Sequence, residues 1–271
     1  MQQYERKVRL RQVHRRRDVV DDHFDPVRGS HPHPAHASDL DSLAMSDLPR
    51  AVLFDLDGTL IDSEHLWLEA ELEVMRDLGS DWTDADQRTC LGGPLERVSA
   101  YMVQRSGTTH TAEYVGRFLL RTMEAQLRAA PVGWRPGARA FLQATIDAAI
   151  PRALVTASWA VLVDAVAERI SLEFGCDPFT TVVAGDHIAN SKPHPEPYLR
   201  AAQSLGAHPA QCLAIEDSPT GVQSAAAAGC VVVAIPHIAP LPPDMANIHV
   251  IDSLQGTDPY RLWREALAQR R

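Results

Sequence analysis

The chemistry-bearing residues of this chain begin with Asp55-Leu56-Asp57-Gly58-Thr59-Leu60, which follows the apolar run Ala51-Val52-Leu53-Phe54. A short apolar run breaking into two acids reads as a buried strand that presents carboxylates at its carboxyl end. Open α/β sheets bind their ligands there. Strand alternation directs Asp55 and Asp57 to one side, and Gly58 and Thr59 allow a sharp turn. Carboxylates held this close repel each other and invite a divalent cation or a shared proton. The plainer reading is an Asp/Gly-rich turn after an ordinary strand, and the motif alone does not decide between the two.

Three more polar clusters follow predicted strands. Leu154-Val155 runs into Thr156-Ala157-Ser158 and then a helix, which makes either an anion site or a simple Ser/Thr cap. Ala184-Gly185-Asp186 leads to Ser191-Lys192-Pro193-His194-Pro195, and Ile215 leads to Glu216-Asp217-Ser218. An isolated Glu-Asp pair is more often a cap than a ligand set; four such strand ends together are harder to dismiss. Lys192 carries its own argument. It and Lys7 are the only lysines in an otherwise Arg-rich chain, so position 192 keeps a compact ammonium where composition favours guanidinium. Chance survival of a surface lysine is the alternative.

Positioning these groups requires a sheet. Apolar runs at 51–55, 151–155, 181–184, 212–216 and 231–235 alternate with helical patterns at 137–149, 159–170, 195–205 and 220–228. Continuous apolar strands separated by helices imply an α/β fold with a doubly wound, Rossmann-like parallel sheet. An amphipathic segment at 257–270 reads as a terminal helix. Residues 63–135 show no strand signal and read as an inserted all-helical cap, with helices near 64–79, 94–106 and 111–129. The core is then 45–62 plus 136–271, joined to the cap by two linkers that form a hinge for a lid. Residues 1–44, basic at first and then rich in His, Pro and Asp, read as a disordered tail. His31, His33 and His36 offer at most weak metal binding. Met45 directly before the first strand reads as a natural start, with the tail an upstream extension.

Composition narrows the class. The net charge of -9 argues against a general nucleic-acid binder, and no apolar stretch reaches membrane-span length. Cys90, Cys176, Cys212 and Cys230 lack paired metal spacing and read as reduced, mostly buried thiols of a cytoplasmic protein.

Asp55-x-Asp57-Gly-Thr, Thr156, Lys192-Pro-x-Pro and Glu216-Asp217 resemble, in order and spacing, the four motifs of the haloacid dehalogenase (HAD) superfamily. The insertion after the first motif resembles the cap of its phosphoglycolate-phosphatase and β-phosphoglucomutase-like branch. Leu60–Trp67, Ala70–Gly79 and Ser191–Tyr198 look most like bacterial hexitol and 2-deoxyglucose-6-phosphate phosphatases. The resemblance implies an enzyme, a phosphoric monoester hydrolase. Asp55 would be the nucleophile forming an aspartyl phosphate, and Asp57 the acid and then base. Thr156, Ser158 and Lys192 would hold the phosphoryl group. Mg²⁺ would be held by the Asp55 carboxylate, the Asp57 carbonyl and Asp217, with Glu216 orienting Lys192 or a bound water.

Departures from relatives narrow the reaction. Asp57 argues against dehalogenation, and the absence of lysine from residues 63–135 argues against a Schiff-base phosphonatase. β-Phosphoglucomutases carry a His where Trp67 stands and an Arg near Leu95, so a phosphatase is favoured and the mutase is the runner-up. A catalytically silent metabolite sensor is the binding-class alternative. The expected substrate is a small phosphorylated sugar or polyol, read by Glu64, His65, Trp67 and the Gly92-Gly93-Pro94 loop, with Gly93 allowing close approach. Phosphoglycolate and nucleotide monophosphates remain open. No nucleic acid, membrane or obligate partner is expected, and the resemblance is compatible with a monomer.

Overall fold

A computed structural model of the chain describes residues 48–90, 94–242, 245 and 247–270. The expected disordered tail over residues 1–44 and the Gly92-Gly93 turn lie outside the described residues. Strand β1 (Ala51–Phe54) is followed by four helices: α1 (Glu64–Asp77), α2 (Asp84–Cys90), α3 (Leu95–Ser106) and α4 (Ala112–Ala129). Then come α5 (Ala138–Asp147), β2 (Arg152–Val155), α6 (Ala160–Phe174), β3 (Thr181–Val183), α7 (Glu196–Ser204) and β4 (Cys212–Glu216). The chain continues with α8 (Pro219–Ala227), β5 (Val231–Ala234), β6 (His249–Val250) and α9 (Pro259–Gln269). The strands form one sheet in the order β3-β2-β1-β4-β5-β6, and every pairing is parallel.

Burial on both faces explains the unbroken apolar strands. All four β1 residues are fully buried. Val52 and Phe54 pack on one side with Phe141, Leu162 and Trp263. Ala51 and Leu53 pack on the other with Tyr198, Val222 and Ala225. Each large apolar side chain so buried contributes roughly 1.5–3 kcal/mol. Helix α6 runs four residues beyond its expected end, to Phe174, and is closed by Gly175 in the left-handed region.

Two elements were not expected from sequence. Strand β6 is a two-residue pairing of His249 and Val250 with β5, too short for any alternation to register. Helix α2 buries only Asp86 and Cys90, so it has no apolar stripe. Asp86 organises it instead, accepting from the Thr83 amide and hydroxyl, Tyr101 Oη (2.6 Å) and Arg105 Nε (3.3 Å). These donors hold its carboxyl well below the usual carboxylate range.

Between β1 and α5 the described residues are helical or irregular, so the insertion is an all-helical cap. Its two connections to the core run side by side. Asp62 N donates to Gly133 O (2.8 Å), Arg135 N donates to Leu60 O (2.9 Å), and Ile61 bridges antiparallel to Trp134. Helix α4 also reaches the core helix α6 through an Arg128–Glu168 ion pair.

Candidate active site

The carboxyl ends of β1, β2 and β4 and the loop after β3 open into one cavity of about 890 Å³, which the cap helices wall on the opposite side. Asp55, Asp57, Thr156, Ser158, Lys192 and Asp217 all line it. Strand β1 ends at Phe54, so Asp55 is the first residue beyond it and Asp57 arrives through a turn. That turn is closed by Gly58 N to Ile61 O (2.8 Å) and Leu60 N to Leu56 O (2.9 Å).

Lys192 ties three strand ends together. Its Nζ donates to Asp55 Oδ1 (2.7 Å), Glu216 Oε1 (2.6 Å) and the Val155 carbonyl (2.9 Å). Glu216 also accepts from Tyr198 Oη (2.6 Å) on Oε1, while Oε2 receives the Asp217 and Ser218 amides and the Ser218 hydroxyl. With both oxygens so engaged, Glu216 holds the lysine. Asp57 is gripped from two directions, by Ser63 Oγ on Oδ1 and Ser158 Oγ on Oδ2, each at 2.5 Å. Ser158 thus contacts the second aspartate as well as lining the cavity. Thr156 is buried and accepts the Ser158 amide at 3.0 Å.

The electrostatics follow from crowding. Burial raises the Asp55 carboxyl well above its ordinary value; Lys192 opposes this, and Glu216 and Asp217 add to it. Burial, reinforced by Glu216, pushes Asp217 up to about 7. Burial pulls the Lys192 ammonium down, but Asp55 and Glu216 outweigh it and hold it above the usual lysine value. Asp55, Glu216 and Asp217 present oxygens within 4.8 Å of one another, so three buried carboxylates face a single ammonium. Such a set of hard oxygen donors fits a divalent cation. Gly58 makes room for the Asp217 carboxylate: at φ 84°, a Cβ there would stand 2.2 Å from Asp217 Oδ2.

On the cap side, Glu64 and Trp67 line the cavity, both half-buried, whereas His65 is exposed and does not line it. Burial, Asp57 and Asp62 raise the Glu64 carboxyl. Gly93 lies outside the described residues. Sequence reasoning did not single out Ser63, Tyr198 or Glu71. A serine or tyrosine in a helical segment carries no pattern that marks it as a partner of a distant acid.

Residues 52–235 match the haloacid dehalogenase-like hydrolase family, and the chain belongs to it. Among its relatives, it is 33% identical over 193 residues to protein CbbY of Rhodobacter capsulatus, a match covering 69% of this chain and 85% of that protein. It is 32% identical over 189 residues to hexitol phosphatase B of Escherichia coli K12, covering 69% and 83% respectively. The fold is similar to the crystal structure of CbbY from Rhodobacter sphaeroides in complex with phosphate. That likeness has a TM-score of 0.66 and 25% identity, and covers 77% of this chain and 96% of the other. Among the described residues no helix is long and apolar enough to cross a membrane. All four cysteines are free, Cys176 exposed and the others buried.

Proposed function

We propose that this phosphoric monoester hydrolase is a Mg²⁺-dependent phosphatase of a small sugar or polyol phosphate, working through an aspartyl phosphate on Asp55. The observation that carries the reading is the pairing of a lysine-held carboxylate, Asp55, with a second carboxylate, Asp57, that two serines hold in the same cavity. Kinship with a hexitol phosphatase supports the substrate class.

Asp55 attacks phosphorus in line as the ester bond breaks, and Asp57 gives its proton to the leaving oxygen. Asp57, now a base, takes a proton from water, which attacks the acyl phosphate and releases inorganic phosphate with Asp55 regenerated. Ser63 and Ser158 fix the direction of Asp57 for both transfers. Thr156 and neighbouring amides hold the phosphoryl oxygens, and Lys192 offsets their charge. Asp55, Asp217 and the Asp57 carbonyl would hold Mg²⁺, which supplies the charge neutralisation that lets a carboxylate approach a phosphate dianion.

Phosphate release across hexose, hexitol, glycolate and nucleotide phosphates, with and without Mg²⁺, tests the reading. Mg²⁺-dependent release peaking on sugar or polyol phosphates is expected. Isomerisation of β-glucose 1-phosphate without release would favour a mutase, and silence in both a sensor. Asp55→Asn should lose more than about 10⁴-fold in turnover with its circular dichroism unchanged. Asp217→Asn should slow turnover and raise the Mg²⁺ needed for half-maximal rate.

A further inference from the structure

Helix α1 turns one face to the cavity: Glu64, Trp67, Leu68 and Glu71 all line it. These positions, spaced 0, +3, +4 and +7, form a single helical stripe. Glu64 stands at the chemical end, where burial, followed by Asp57 and Asp62, raises its carboxyl. Glu71 lies two turns further on, about 10 Å along the axis, so the stripe runs away from the reacting centre over the length of a short phosphorylated carbon chain.

The charge of that wall is one-sided. The charged cap residues lining the cavity are Glu64, Glu71 and Glu96, and among the described residues the only Lys or Arg lining it anywhere is Lys192. Lys192 is already bound to Asp55 and Glu216. A second phosphate or a carboxylate at the far end of a substrate would therefore meet carboxylates, with no Lys or Arg among the described residues there to receive it.

Glu71 is built into place. It is 7% exposed, and its Oε2 accepts from Trp82 Nε1 at 3.0 Å. Trp82 in turn is braced edge-on by Tyr101, with ring centroids 5.8 Å apart. Oε1 has no hydrogen-bond partner among the described residues, and Gln87 lines the cavity as well. With one carboxylate oxygen fixed by Trp82 and the side chain lining the cavity, Glu71 is a directed acceptor.

Resting on the phosphatase reading, we infer that the cap selects monophosphates whose distal end donates hydrogen bonds and bears no negative charge, with Glu71 as the specificity-determining residue. A hydroxyl meets Glu71 Oε1 as a donor. A carboxylate in its place meets like charge in a site of reduced dielectric, where such repulsion is strong. Bisphosphates and phosphorylated acids are refused for the same reason.

Two matched pairs isolate the effect, since each differs only in a terminal hydroxymethyl against a carboxylate: glucitol 6-phosphate against 6-phosphogluconate, and glycerol 3-phosphate against 3-phosphoglycerate. At about pH 8.5, well above the Glu71 value of about 7, kcat/KM should favour the alcohol by at least about 30-fold in the better-used pair. Glu71→Gln keeps an acceptor for Trp82 and should shrink that ratio about tenfold or more, while Glu69→Gln, exposed on α1 and away from the cavity, should change it little. Calorimetric binding of the same pairs to the Asp55→Asn variant reads the preference without turnover. A preference in binding with no phosphate release from any ester would sink the phosphatase reading and leave this one standing. Equal use or binding of alcohol and acid, binding of neither pair, or a ratio unmoved in Glu71→Gln would overturn it.

Discussion

At the scale of the residue, two buried glutamates show how position sets what an acid does. Glu216, with no exposed surface, is held by an ammonium, a phenol, two amides and a hydroxyl, and serves as scaffold. Glu71 has only Trp82 as a hydrogen-bond donor among the described residues, and burial, with Glu64 adding, lifts it to about 7. This leaves a mark on stability. Below about pH 4.3 Glu71 is protonated in folded and unfolded chains alike. Between there and about 7 the folded chain alone keeps the proton, so stability falls as pH rises and levels off above that range. Urea unfolding of wild type against Glu71→Gln should show the wild type losing relative stability over this window, by at most about 4 kcal/mol. A parallel pair of curves would mean the carboxyl is not lifted. Asp55, Asp57, Lys192 and Asp217 were legible because acids and a lone lysine at strand ends have few structural uses. Glu71 was not, because a glutamate in a helix is ordinarily a solvated one, and only the packing of Trp82 reveals otherwise.

At the scale of the element, two glycines in the left-handed region divide chemistry from stability. Gly58, φ 84°, lies in the turn after β1 beneath Asp217. Gly137, φ 81°, opens α5, and a Cβ there would stand 2.2 Å from Gln255 N. Gly58→Ala should push the Asp217 carboxylate aside, raising the Mg²⁺ requirement and cutting turnover. Gly137→Ala meets backbone that cannot give way and should cost about 2 kcal/mol or more in urea unfolding, with kcat kept below the melting temperature. If both variants lost activity and stability in the same proportion, the division would be wrong. Strands β1 to β5 were readable because burial on both faces demands unbroken apolar runs, and the helices because their stripes are periodic. Helix α2 lacked any stripe, since the carboxylate of Asp86 replaces an apolar face, and β6 was too brief to show a period.

At the scale of the whole molecule, core and cap share one cavity, lined by the strand ends on one side and by α1 on the other. Every described residue lining the cavity lies between Asp55 and Ala239. A chain beginning at Met45 should therefore keep kcat and KM within about twofold of the full chain, as expected of changes remote from the site. A larger loss would assign residues 1–44 a part in catalysis. The paired connections at Leu60–Asp62 and Gly133–Arg135 make the cap and core meet through a two-stranded strap. Its existence followed from the insertion, but its hydrogen bonding did not, because neither segment has a strand-like pattern.

The scarcity of lysine gives the experimenter a clock. Activated esters acylate an amine only when it is neutral and reachable, and Lys192 is neither: its side chain is 5% exposed and its proton is held by two carboxylates. In the folded protein it escapes the reagent, and it reacts only when the strand ends part. A timed pulse of acetylating reagent followed by peptide mass spectrometry thus records, at a single amino group, how often the centre of this molecule comes undone.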